Sequence, residues 1–189
     1  ALADQMIRAG EFDAVVAGGM ESMSQAPHLL IGSREGKKYG DWTMIDALAF
    51  DGLTCAFDEC AMGEATERYS DRYALTREEQ DAVAEASHRR AAAAQSAGIL
   101  AEEITAVRIP QRKGDDIVVT DDEGIRAETT AESLGRLRPA FAPEGTITAG
   151  NASQISDGAA ALVVTSRAAA ERLERTPMAF LGSHGAVSY

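Results

Sequence analysis

Two short apolar runs, DAVVAG at residues 13–18 and AAALVVT at residues 159–165, constrain the fold more than any other feature of this chain. Each is too short for an ordinary helix and too continuous for a half-exposed strand. In α/β proteins such runs are usually buried strands of a parallel sheet. The first follows a helical stretch with Leu2, Met6 and Ile7 on one face and Gly10 at its end. Gly18 and Gly19 then allow a sharp backbone turn. The second run leads to Ser166, a cap for a helix over residues 167–175 that Pro177 terminates; residues 178–182 begin another apolar strand. The order is helix, strand, long mixed excursion, strand, helix, strand, which is an α/β architecture with a large insertion between two strands of one sheet.

Within the excursion, residues 27–61 read as a loop with several glycines, mixed charge and no sustained period. An irregular segment of that length inside a compact domain usually serves function or an interface. Residues 62–73 suit a helix with Met62, Thr66, Tyr69 and Tyr73 on one side. Thr76 and Glu79 form a capping box for an alanine-rich helix that runs to Gly98, a residue suited to the C′ position. Residues 106–109 and 117–120 read as a hairpin around Lys113-Gly114-Asp115. Residues 121–138 are polar and partly helical, and residues 147–150 are strand-like.

Composition narrows the function classes. The chain has 189 residues, 45% apolar and 25% charged, enough for a domain with a real core, but aromatics are only 5%, so that core must rest on Ala, Val, Leu and Ile. A net charge of −12 argues against a nucleic-acid surface, which a phosphate backbone would avoid. No apolar run reaches the roughly 18 residues of a membrane span. The first residues do not read as a signal peptide; they read as a helix entered midway without an initiator Met, so a truncated chain is expected. Two cysteines are too few for a disulfide framework, so a reducing, cytoplasmic setting is expected.

Few residues offer chemistry on their own. Cys60 precedes a helix start, where a thiol can be activated, but a nucleophilic cysteine also needs a base. Local sequence assigns neither His28 nor His184 to it, and His88 lies within the long helix, where solvation is expected. Cys55 and Cys60 therefore read as inert packing residues. They have no companion pair for a metal. The acidic residues Asp115, Asp116, Asp121, Asp122 and Glu123 lack calcium-loop spacing and read as a solvated rim. Gly18-Gly19 is no dinucleotide fingerprint. Residues 150–161, GNASQISDGAAA, are different: two glycines permit close approach, and Asn151, Ser153, Ser156 and Asp157 could fix a polar ligand. A capped turn between strands explains the same residues equally well.

The segments GGMESMSQAPHLL, DGLTCAF, Met62-Gly63, TREEQDAVAEASHRRA, LRPAF and TAGNASQISDGAAALV occur in the order found in biosynthetic and degradative thiolases, and from residue 1 to about residue 180 the chain resembles that family. The resemblance is nearest to the bacterial acetyl-CoA acetyltransferases. It implies a thiolase-like fold, of which this chain is part of the N-terminal half. Residues 1–25 would end one stretch of the N-terminal core. Residues 26–146 would form an inserted loop domain that binds CoA and helps assemble a homodimer or homotetramer. Residues 147–176 would return to the core, and residues 177–189 would start the C-terminal core. Arg126 corresponds to an arginine at the CoA adenine, where a planar cation can stack. Ser133 corresponds to a serine near the nucleotide. Leu53, Met62, Ala140 and Phe141 correspond to residues lining the pantetheine and acyl channel. Ala149, Ala152 and Ser153 belong to the GNAS turn, with Ser153 bonding a pantetheine amide.

Thiolase chemistry uses a nucleophilic cysteine to carry the acyl group, a histidine that raises the thiolate, a second cysteine that moves the α-proton and an oxyanion hole. The motifs that carry these groups are not among the present residues, and neither Cys55 nor Cys60 matches them. No catalytic residue is assigned, and the chain alone is expected to be inactive. Acyl-CoA and CoA are implied as substrates, with no permanently bound cofactor, no metal, no nucleic acid and no membrane. Many biosynthetic members carry histidine just before Met-Gly; here Ala61 stands in that place, so no imidazole-dependent specificity is carried over. The competing readings are a non-catalytic CoA-thioester-binding relative and a thiolase-like lipid carrier.

Overall fold

The computed structural model describes residues 1–185; part of the expected C-terminal-core segment, residues 186–189, lies outside them. In chain order the elements are α1 (Leu2–Arg8), β1 (Ala14–Ser22), β2 (His28–Leu30), β3 (Met44–Asp46), a single π turn (Leu48–Gly52), β4 (Thr54–Cys55), β5 (Cys60–Ala61), α2 (Met62–Arg72), α3 (Arg77–Ser96), β6 (Val107–Ile109), β7 (Ile117–Val119), α4 (Ala131–Gly135), β8 (Asp157–Thr165) and α5 (Arg167–Arg172). The chain divides into two compact units: residues 1–25 with 155–189, and residues 26–154.

The first unit is built on the two apolar runs. They do pair, but as an antiparallel ladder from Ala14↔Thr165 to Ser22↔Asp157, not in parallel. Nor is the ladder buried: Val16 is 73% exposed, Met20 81%, Leu162 67% and Val163 71%. Continuous apolarity here marks faces that this chain leaves open. β1 also runs straight through Gly18 and Gly19, where a turn was expected. The role of Gly18 is close approach, since a Cβ there would stand 2.6 Å from the Ala160 carbonyl oxygen. On α1, which packs against both strands, Met6 and Ile7 are half-buried while Leu2 is exposed. Gly10 ends the helix with φ +77°.

The Ser166 hydroxyl accepts the Ala169 N–H at 3.1 Å and caps α5 as expected. The helix stops earlier than Pro177 requires. Glu174 takes a left-handed φ of 51°, and the Arg175 N–H returns to the Ala170 carbonyl at 2.9 Å. Residues 178–182 form no strand; the Phe180 ring instead lies beneath the Arg167 guanidinium, 4.8 Å from its centroid.

In the second unit, the irregular reading of residues 27–61 gives way to two short hairpins, β2–β3 and β4–β5. Ladders of two or three pairs are too short to impose a period on the sequence. α3 has the predicted capping box: Glu79 N–H donates to Thr76 Oγ1 at 3.2 Å and Thr76 N–H to a Glu79 carboxylate oxygen at 3.0 Å. Gly98 follows with φ +75°, and β6–β7 is the predicted hairpin, with Gly114 at φ +89° in its turn. α2 forms where expected but turns a different face inward. Met62 and Tyr73 are exposed, whereas Glu67 and Ser70 are buried.

What holds this unit is polar. The Asn151 side chain accepts the Thr148 N–H at 2.7 Å and donates to Asp81 at 2.9 Å and to the Thr146 carbonyl at 3.0 Å. Asp81 in turn accepts from Arg77 Nε at 2.7 Å, and the same guanidinium reaches the Leu134 carbonyl at 2.5 Å and the Leu137 carbonyl at 3.2 Å. This network closes a turn at residues 148–152. Residues 147–150 therefore contribute one bridge, Pro139↔Thr148, and no strand. Gly150 allows the turn to sit under α4, because a Cβ there would stand 2.5 Å from methyl carbons of both Leu134 and Leu137. Asn151→Ala strands the Thr148 N–H and one oxygen of buried Asp81, so we expect a loss of about 1–3 kcal/mol, read as a lower urea midpoint at unchanged slope.

Candidate functional site

The CoA-contact positions implied by the resemblance all lie in the second unit, and they gather into three patches. The first is apolar. The Met62 N–H donates to the Leu53 carbonyl at 2.8 Å, setting these residues across from each other where the β4–β5 hairpin meets α2. The Phe141 ring fills the space left by the missing side chain of the next residue: a Cβ on Gly63 would stand 2.4 Å from three of its carbons. Ala140 is placed by its N–H, which donates to the Ile147 carbonyl at 2.9 Å. Leu53 is 37% exposed, Phe141 41% and Met62 52%, so this patch is a surface available to an apolar ligand and not a closed core.

The second patch is the GNAS turn. The Ala152 N–H donates to the Thr148 carbonyl at 3.1 Å, and Ala149 and Ser153 are exposed. Of the polar residues that could have met a ligand here, two have internal duties. The Asn151 amide is consumed by the network on Asp81 and Thr148. Asp157, in the other unit, accepts the Ser24 hydroxyl at 2.5 Å, the Ser24 N–H at 2.9 Å and the Ser22 hydroxyl at 3.1 Å. Those bonds, led by the Ser24 hydroxyl and backbone N–H, hold its carboxyl below the usual aspartate range. Asp157 thus ties the end of the first motif, GGMESMS, to the end of the second.

The third patch is polar. The Arg126 N–H donates to His88 Nδ1 at 3.2 Å, so His88 is half-buried and engaged, not simply solvated as expected. The Arg126 side chain is exposed. Ser133 closes a second capping box, donating its hydroxyl to the Thr130 carbonyl at 2.8 Å and accepting the Thr130 N–H at 3.1 Å. With its one proton used, the Ser133 hydroxyl can meet a ligand only as an acceptor.

Beneath the first two patches lies a residue that sequence reasoning missed. Glu67 is buried, and its carboxylate accepts the Thr146 N–H at 3.0 Å, the Thr146 hydroxyl at 3.1 Å and the Ile147 N–H at 2.8 Å. Burial pushes its pKa up, but the backbone N–H groups of Thr146 and Ile147 and the Thr146 hydroxyl outweigh that, leaving it below the ordinary glutamate value. No local signal marks Glu67, since its partners lie 79 and 80 residues along the chain.

Comparison with known proteins agrees with this arrangement of motifs. A family model described as the thiolase N-terminal domain matches residues 1–168. A probable acetyl-CoA acetyltransferase of Mycolicibacterium smegmatis is 61% identical over 188 residues, which is 100% of this chain and 48% of that protein. An acetyl-CoA acetyltransferase of Thiocystis violacea is 54% identical over 180 residues, 95% of this chain and 46% of that protein. The solved acetyl-CoA acetyltransferase of Syntrophomonas wolfei superposes with a TM-score of 0.84 at 40% identity, over 93% of this chain and 44% of that one. The chain belongs to the thiolase family, in its N-terminal domain, and it spans about half the length of the curated relatives it matches.

A folded-state carboxylate held below its ordinary pKa stabilises the fold above the unfolded value, near about 4.3 for glutamate, and that contribution is lost as pH falls through the folded value. Glu67→Gln removes the charge and turns an amide toward two backbone donors. We expect it to lower stability near neutral pH by about 1–3 kcal/mol and to flatten the acid limb of a urea-midpoint-against-pH curve. A variant with an acid limb as steep as that of the parent would show that Glu67 is not the group titrating.

Proposed function

We propose that the protein acts as an acetyl-CoA acetyltransferase of the thiolase type, joining two acyl-CoA molecules by Claisen condensation or cleaving 3-ketoacyl-CoA by thiolysis. In this reading a cysteine elsewhere in the whole protein carries the acyl group, and residues 26–146 form a loop domain inserted in the N-terminal core. The observation that carries the proposal is the 61% identity, across the whole of this chain, to the Mycolicibacterium smegmatis protein of that name.

The present chain would supply CoA-binding surface and no catalytic group. Arg126 offers a free planar cation for the adenine, with Ser133 accepting nearby. Leu53, Met62, Ala140 and Phe141 would flank the pantetheine and acyl arm. The turn bearing Ala149, Ala152 and Ser153 would present a hydroxyl to a pantetheine amide. The substrates would be CoA and its acyl thioesters, the working form a homodimer or homotetramer, the role fatty-acid metabolism and the setting cytoplasmic. No helix among the described residues is long and apolar enough to cross a membrane.

The whole protein should cleave acetoacetyl-CoA in the presence of CoA, while the 189-residue chain alone should not. Turnover by the short chain, or none by the whole protein, would sink the assignment. Arg126→Ala removes a stacking contact of about 0.5–2 kcal/mol, so CoA affinity measured by calorimetry on the whole protein should weaken about 2- to 30-fold. Unchanged affinity would remove Arg126 from the site.

A further inference from the structure

The two cysteines, which sequence alone marks as inert, are Cα partners across the β4–β5 ladder. We propose that Cys55 and Cys60 form a reversible dithiol/disulfide pair, a redox modification site.

The register carries the geometry. The Met62 N–H donates to the Leu53 carbonyl at 2.8 Å, and bonded and non-bonded pairs alternate along an antiparallel ladder. Leu53–Met62 is therefore a bonded pair, Thr54–Ala61 a non-bonded one, and Cys55–Cys60 bonded again, with a usual Cα separation of about 5.5 Å. That lies within the roughly 4.4–6.8 Å span of disulfides. Directly opposed side chains project to the same face of a ladder. In a bonded pair the Cβ atoms ordinarily stand toward the wide end of about 4.5–5.5 Å, beyond the roughly 3.5–4.5 Å of disulfides, so the bond would form only with closing of the hairpin and be readily reduced. Both thiols are free in this structure, Cys60 buried and Cys55 partly exposed.

Two neighbours favour the chemistry. The Asp58 N–H approaches Cys55 Sγ at 3.5 Å, pointing a donor at the sulfur that solvent can reach. Arg68, on α2, lies within electrostatic range of Cys60, placing a cation where a thiolate would form. Arg68 also meets the carboxylates of Glu64 at 3.0 Å and Asp58 at 3.9 Å, which temper that positive charge.

With a small-molecule disulfide such as oxidised glutathione as oxidant, the step balances. The Cys55 thiolate attacks one glutathione sulfur, forming a mixed disulfide and releasing one glutathione thiolate. The Cys60 thiolate then attacks Cys55 Sγ and releases the second. Two cysteine protons are lost, the protein pair is oxidised, and one glutathione disulfide is reduced to two thiols.

The test is peptide mapping of the whole protein after incubation with oxidised glutathione and blocking of residual thiols. Cleavage after Glu59 puts the two cysteines on separate peptides. We expect these peptides to stay joined, and to separate when dithiothreitol is added. In the C60S variant a glutathione adduct should accumulate on Cys55, because the resolving thiol is gone; in C55S, Cys60 should react much more slowly. Separate peptides bearing free thiols, or glutathione on both cysteines of the unmutated protein without a link, would overturn the proposal.

Discussion

The loop of the second unit is anchored by carboxylates. Glu67 on α2 takes up the backbone donors of Thr146 and Ile147, and Asp81 on α3 holds Asn151 while Arg77 braces it. The bonds of Glu67 and of Asp81 to Asn151 span some 70 to 80 residues of sequence, so each fixes a long stretch of chain to a helix at one point. A buried carboxylate that accepts several N–H donors returns much of its desolvation cost, and losing any one partner exposes the remainder of that cost. Among the described residues the buried apolar side chains are few, namely Cys60, Leu134, Ile147, Ala169 and Ala170. In the second unit the polar anchors therefore do much of what a larger core would do elsewhere.

This arrangement suits the surface proposed above for a long thioester. A turn placed by apolar burial would have to turn its apolar residues inward. The turn at residues 148–152 is placed by Asn151, Asp81 and Glu67, so Ala149 and Ser153 remain exposed. Phe141 is likewise held over the bare backbone of Gly63 while part of its ring faces solvent. The proposed binding role needs that combination of fixed backbone and available apolar surface.

Local chemistry was legible in the sequence wherever a structure depends on neighbours within a few residues. The Thr76–Glu79 capping box, the Ser166 cap, the glycines after α1 and α3, and the hairpin around Gly114 all follow from such rules. What failed to show was set over distance. Apolar continuity in residues 13–18 and 159–165 implied strands but could not fix their direction, which is decided by pairing across most of the chain, nor show that their faces are exposed. The burial of Glu67 on α2 leaves no local trace, because the groups that satisfy it, Thr146 and Ile147, lie far along the chain. Cys55 and Cys60 looked unrelated because a two-pair ladder leaves no periodic trace.

The two family motifs illustrate the same division. GGMESMS and GNASQISDG are recognisable as strings, yet their polar residues divide between structure and surface in a way the strings do not reveal. Asp157 gathers Ser22 and Ser24, so part of each motif serves to fasten the other, at the end of the β1–β8 ladder where strand pairing gives out. Asn151 fastens the turn to α3. Ser153 and Ser156 are exposed and take part in neither anchor. In the proposed binding role, spending the Asn151 amide on rigidity would fix the turn, and Ser153 on it, before any ligand arrives.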